Sequence, residues 1–216
     1  MTAATVHVVD YGVGNLLSIS RALAAVGAQA DLSGSASRLA QAERILLPGV
    51  GAFGKCMAEL RQRRLIDPLI AVMRSGRPVL GVCVGMQVLM TASEEFGDHD
   101  GLGLIEGRVV PVPNTGADGV PHKIPHIGWS ALRAADNADW RGTILDGVVP
   151  GESCYFVHSF HAAPADDANR LAECDYDGRA ICAAVRAGNV FGTQFHPEKS
   201  GSTGLKILAN FLAIRA

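Results

Sequence analysis

From Val6 to Met90 short apolar runs alternate with segments whose apolar residues recur every three or four positions, the pattern of a parallel sheet with crossover helices. Residues 6–9 read as a buried strand, and Leu16, Ile19, Leu23 and Val26 mark one face of a helix that Gly27 stops. Strands are expected again at 28–32, 44–47 and 78–82, with a helix carrying Leu60, Leu65, Ile66 and Leu69 between the last two and another helix over 84–90. Beyond residue 103 the texture changes. Short β-type runs at 105–112, 127–132, 154–160, 171–175, 181–185 and 190–193 are separated by Gly, Pro and Asp, as in mixed or antiparallel sheets. A helix over 205–214 follows, with Leu205, Leu208 and Leu212 on one face. No composition break, repeat or low-complexity tract divides the chain, so the expectation is one α/β domain over 1–216.

Composition narrows the function classes. With 48% hydrophobic and 19% charged residues the chain can bury a large core, and 19 basic against 21 acidic side chains leave no electrostatic footprint for nucleic acid or an anionic membrane. Five cysteines, an odd number with no CxxC pair and no zinc-ligand quartet, fit a reduced compartment and predict no metal site. The first basic residue is Arg21 and no apolar run approaches about 18 residues, so neither a signal peptide nor a membrane span is expected and the location is read as cytoplasmic.

The strongest chemical signal is GVCVGMQ at 81–87, where Cys83 stands between two glycines at a strand-to-helix junction. A sharp turn that exposes a nucleophile has no room for neighbouring Cβ groups, and unpaired N–H groups at a helix start favour a thiolate. The plain alternative is a small apolar residue ending a strand. A thiolate needs a proton carrier. His122 and His126 are flanked by Pro121 and Pro125 and cannot share a helical face, while His158 and His161 read as structural histidines of a strand. His196 stands in QFHPEKS at 194–200, where Pro197 forces it into extended geometry and places Glu198 two residues on, on the same side, as the orienter of its ring. Cysteine, histidine and acid together make a nucleophile with its base.

The glycine stretch Gly49, Gly51 and Gly54 also matches G-x-G-x-x-G, but Pro48 interrupts the turn and no acidic residue ends a strand about 20 positions on. A loop whose backbone N–H groups face a developing oxyanion is the better reading.

Taken with DYGVGNL at 10–16, LPGVGAF at 47–53, PHIGW at 125–129 and YFVHSF at 155–160, these motifs resemble the class I (triad) glutamine amidotransferases. Within that family they are similar to the glutaminase subunits that serve imidazole glycerol phosphate synthesis. The resemblance spans nearly the whole chain. It implies a flavodoxin-like domain with a mixed central sheet and helices on both faces, and no cofactor. It also implies hydrolysis of glutamine by Cys83, His196 and Glu198, with ammonia passed to a (β/α)8 cyclase partner that makes imidazole glycerol phosphate and AICAR in histidine biosynthesis. By the same resemblance, the N–H groups of Gly51 and Val84 receive the oxyanion, and the Val50–Gly51 peptide must turn inward. Gln87, Glu95 and Ser159 bind the substrate, Glu95 at its ammonium. Asn15, Trp129, Tyr155 and Lys199 face or gate the partner, although Asn15 could simply cap a helix and Trp129 could be core. Phe160 stands where the family often has tyrosine. Three other readings are a glutaminase serving pyridoxal phosphate synthase, a silent amidotransferase-like module, and a stand-alone cysteine hydrolase. The DYGVGN, PHIGW and YFVHSF stretches oppose the first, the intact triad the second, and the lack of a lid or long cleft the third.

Overall fold

The computed structural model describes residues 3–136 and 138–215; Met1, Thr2, Asn137 and Ala216, which the sequence reading includes in its domain, lie outside the described residues. Five strands form the parallel part of a large sheet: β1 (Ala4–Val9), β2 (Ala28–Ser33), β3 (Ile45–Gly49), β4 (Val79–Cys83) and, far along the chain, β13 (Val190–Thr193). Their spatial order is β2-β1-β3-β4-β13, the doubly wound order in which ligands bind beyond the carboxyl ends of the strands. The connections are α1 (Leu16–Ala25), α2 (Ala36–Gln41), then α3 (Phe53–Gln62) and α4 (Ile66–Arg74). β3 and β4 are buried at every position, as a strand covered on both faces must be.

Antiparallel strands extend this sheet through β12 (Arg179–Ala187), β11 (Arg170–Tyr176), β8 (His126–Ala134) and β9 (Ser153–His158). A second sheet of four strands has the order β10-β7-β5-β6, from β10 (Phe160–Pro164), β7 (Ile105–Pro111), β5 (Met90–Ser93) and β6 (His99–Asp100). A short α5 (Val84–Gln87) and the terminal α6 (Gly201–Ala213) complete the elements. No helix among the described residues is long and apolar enough to cross a membrane.

Three expectations need correction. The helix drawn through Leu60, Leu65, Ile66 and Leu69 is two helices, separated by Arg64 at φ 54°. Leu60 and Leu65 are five positions apart and would diverge by about 140° on one continuous helix; the break lets both be fully buried. The expected helix over 84–90 is a single turn, because the Leu102 N–H takes the Val88 carbonyl and Met90 starts a strand beside Ile105. The run 154–160 is two strands in two sheets, with Ser159 at the switch between them.

Candidate active site

The site is assembled where three neighbouring parallel strands end. Cys83 closes β4 at φ 56° and ψ −115°, a backbone conformation that costs a non-glycine residue of order 1–3 kcal/mol and persists only where the surroundings enforce it. They do so by close packing. A Cβ on Gly85 would land on the Leu47 carbonyl oxygen, and one on Gly81 would land on the carbonyl of Gly85. The two flanking glycines are therefore required by backbone contact with β3 and within the turn itself. One turn of helix carries little dipole, so the helix-start effect expected from the sequence is weak here.

Two side chains flank the Cys83 sulfur. Gln194 is fully buried just after β13, and its Nε2–H donates toward Cys83 Sγ at 3.7 Å while its Oε1 accepts from Gln87 Nε2 at 3.0 Å. His196 is the other. Its imidazole Nδ1 pairs with Glu198 Oε1 at 2.9 Å, both side chains being nearly inaccessible. Burial opposes a charged ring, but the Cys83 sulfur and the Glu198 carboxylate outweigh it and push His196 up to about 9. The sequence places Glu198 on an extended segment; instead Pro197–Lys199 is a 3₁₀ turn, with Pro197 at its first position. His196 keeps the extended conformation that its proline requires (φ −98°, ψ 98°), and the turn brings Glu198 back to the ring. Glu198 Oε2 is buried without a hydrogen-bond partner, so compensation for this carboxylate comes from His196.

The backbone of His196 is anchored to β9. Its N–H donates to the Tyr155 carbonyl at 3.0 Å, its carbonyl accepts from Ser200 Oγ at 2.6 Å, and that same Oγ accepts from the Tyr155 N–H at 3.0 Å.

A cavity of about 330 Å³ opens beside these groups, a size suited to a small ligand. Of the residues singled out in the sequence, Cys83, His196, Gly51, Val84, Gln87, Glu95 and Ser159 all line it, and Glu198 stands behind His196. Gly51 has φ 87°, a left-handed conformation that glycine adopts without strain. The loop carrying it is fastened at three points. The Tyr11 hydroxyl donates to the Pro48 carbonyl at 2.6 Å, Cys56 Sγ donates to the Val50 carbonyl at 3.7 Å, and the Phe53 N–H donates to Glu95 Oε2 at 2.5 Å. Burial pushes the Cys56 thiol up to about 11 and those of Cys154, Cys174 and Cys182 up to about 12, so all four remain neutral thiols.

One further chain of groups was not visible in the sequence. His158 also lines the cavity; its Nδ1–H donates to the Phe160 carbonyl at 2.9 Å, its Nε2 accepts from His126 Nδ1 at 2.9 Å, and His126 Nε2 accepts from Ser130 Oγ at 2.9 Å. Burial lowers His126 to about 4 and His158 to about 3, so both rings are neutral and this assignment of donors is self-consistent. The Phe160 carbonyl also accepts from Gln87 Nε2 at 2.9 Å. The pairing depends on register, since His126 and His158 face each other across β8 and β9.

Trp129, Tyr155 and Lys199 meet at the surface. Trp129 is 58% exposed and is therefore not core; its ring lies edge-on to that of Tyr155 at 6.0 Å, and Lys199 Nζ sits 6.0 Å from the Tyr155 ring. Asn15 is engaged elsewhere, its Oδ1 accepting from the Ser18 N–H at 3.3 Å as the cap of α1. Among the described residues no cluster of three or more His, Cys, Asp or Glu side chains could hold a metal ion.

Comparison with known proteins adds four findings. The profile of the family "Glutamine amidotransferase class-I" matches residues 7–214. Imidazole glycerol phosphate synthase subunit HisH 1 of Legionella pneumophila is 49% identical over 211 residues, 97% of this chain and 99% of that one. Subunit HisH of Syntrophotalea carbinolica is 45% identical over 205 residues, covering 94% and 97%. Among solved structures, PurLQS of Thermotoga maritima superposes with a TM-score of 0.71 at 23% identity over 98% of both chains, a likeness of fold.

Proposed function

Because the chain belongs to the class-I glutamine amidotransferases, among relatives named imidazole glycerol phosphate synthase subunit HisH, we propose that Cys83, His196 and Glu198 form the triad with which it hydrolyses glutamine. The chain releases glutamate and supplies the ammonia to a (β/α)8 cyclase partner in histidine biosynthesis. It acts in the cytoplasm as one amidotransferase domain over 1–216. The observation that carries the triad is the buried His196–Glu198 pair beside Cys83, with His196 and Cys83 lining a cavity suited to a small ligand.

The steps follow from the protonation states. The attacking state is the ion pair in which the raised His196 holds a proton and Cys83 Sγ carries the negative charge, with Gln194 donating an N–H toward the sulfur. The sulfur attacks the carboxamide carbon. Backbone N–H groups of Gly51 and Val84 receive the oxyanion, for which Gly51 has the backbone freedom to turn. The imidazolium then protonates the leaving nitrogen, ammonia departs, and a thioester remains on Cys83. Neutral His196 next takes a proton from water, whose oxygen displaces the sulfur and frees glutamate. Glu198 keeps the ring oriented throughout. Gln87, Glu95 and Ser159 hold the amino-acid end of the substrate, and Trp129, Tyr155 and Lys199, with Asn15 in the first turn, face the cyclase.

Cys83→Ala tests this directly. In the complex with the cyclase, glutamate production should fall by at least about 10³-fold, while the variant still co-elutes with its partner. Retained turnover would remove Cys83 from the nucleophile's role.

A further inference from the structure

The helix that follows the oxyanion loop does not cap itself. α3 starts at Phe53, its N-cap residue is Ala52, and no side chain at that position accepts from the exposed N–H groups of the first turn. The acceptor comes from 42 positions away, where Glu95 Oε2 takes the Phe53 N–H at 2.5 Å. Glu95 is itself held on a stiff base. Its N–H donates to Oγ of the fully buried Ser93 at 3.1 Å, and the N–H of Glu94 donates to the Val109 carbonyl at 3.0 Å, so both are tied to the four-stranded sheet. The chain then turns sharply through Phe96 at φ 56° and Gly97 at φ 122°. The carboxylate thus bridges the second sheet and the loop, two residues beyond Gly51, while also lining the cavity.

We infer that Glu95 is a positioning residue for the oxyanion loop as well as the acceptor of the substrate's ammonium, so that substrate occupancy and the setting of the loop depend on one carboxylate. This rests on the glutaminase reading. One oxygen holds the Phe53 N–H and fixes where the loop ends; the other is available to the ammonium of an α-amino acid amide. An ammonium docking there pulls on the same group that fixes the trailing end of the loop. Charge and hydrogen-bond acceptance at Glu95 consequently have separable effects, the first on binding and the second on the rate of acylation.

The test compares Glu95→Gln and Glu95→Ala in the complex with the cyclase, using glutamine. Glu95→Gln loses the charge but keeps an oxygen able to accept from Phe53; KM should rise about tenfold or more with kcat within about threefold of the parent. Glu95→Ala loses both, so KM should rise similarly and kcat should also fall at least about tenfold. Equal kcat values for the two variants would overturn the positioning role and leave only ammonium binding. Alkylation of Cys83 by iodoacetamide needs the thiolate and neither the loop nor the ammonium contact; its rate should stay within about twofold of the parent in both variants. Should Glu95→Ala fail to fold, Glu95→Asp decides: it keeps the charge and withdraws the carboxylate by one methylene, so kcat should fall more than KM rises, and a parental kcat would overturn the inference. Absence of glutamate production by the parent complex would instead count against the glutaminase reading itself.

Discussion

His196 is pulled in opposite directions by its burial and its partners, and the partners prevail. A folded-state value of about 9, above the ordinary 6.5, means that the stabilisation from this group is complete below about 6.5 and disappears as pH rises through about 9. In the mechanism we propose, the same proton goes to the leaving ammonia. Acylation should therefore decline above about pH 9, and Glu198→Gln, which removes one of the raising influences, should move that decline to lower pH and reduce kcat/KM by at least about tenfold. A pH profile of kcat/KM for both proteins checks this; an alkaline limb that does not move would separate Glu198 from the proton's retention. The elbow around Cys83 was legible in the sequence because its signature is compact, two glycines in five residues, even though the contact that requires Gly85 is with the distant β3. Glu198 was legible as a partner of His196, but not the 3₁₀ turn that brings it there. Gln194 and the His126–His158 pair were not legible, because each depends on which strands lie side by side.

At the scale of elements, the contact between α5 and β3 decides whether the elbow exists. Gly85 lies against the backbone of Leu47 and leaves no volume for a methyl group, with backbone on both sides unable to retreat. Gly85→Ala should destabilise the protein by about 1–3 kcal/mol or more, lowering the melting temperature by roughly 3–10 °C, and should abolish hydrolysis; an unshifted calorimetric transition would refute the packing account. Helical periodicity found α1 and α6 readily. It joined α3 to α4 because Leu60, Leu65 and Leu69 are all apolar and all buried, and only the fold shows that they are buried from two helices. The 84–90 segment was misread for a related reason: its backbone groups are claimed by residues 101–105, a partner that periodicity does not register.

For the whole molecule, the exposed cluster of Trp129, Tyr155 and Lys199 connects a surface to the site, since the Tyr155 backbone also holds the amide of His196. A large aromatic side chain more than half exposed, beside a cation, is the composition of an interface anchor. Trp129→Ala should weaken association with the cyclase at least about tenfold, or about 1.4 kcal/mol, as read from a titration calorimetry isotherm; an unchanged Kd would take Trp129 out of the interface. The parallel character of β1, β2, β3 and β4 was readable from their alternation with helices, whereas neither their lateral order nor the place of β13 was. Its insertion beside β4 has a consequence for biosynthesis. As the nascent polypeptide leaves the ribosome, β4 must wait with one edge unpaired until roughly a hundred more residues have been translated, and Cys83 waits with it for Gln194 and His196. A truncated product therefore carries a sticky edge and no glutaminase, so quality control by aggregation or proteolysis and the appearance of activity are tied to the same late event.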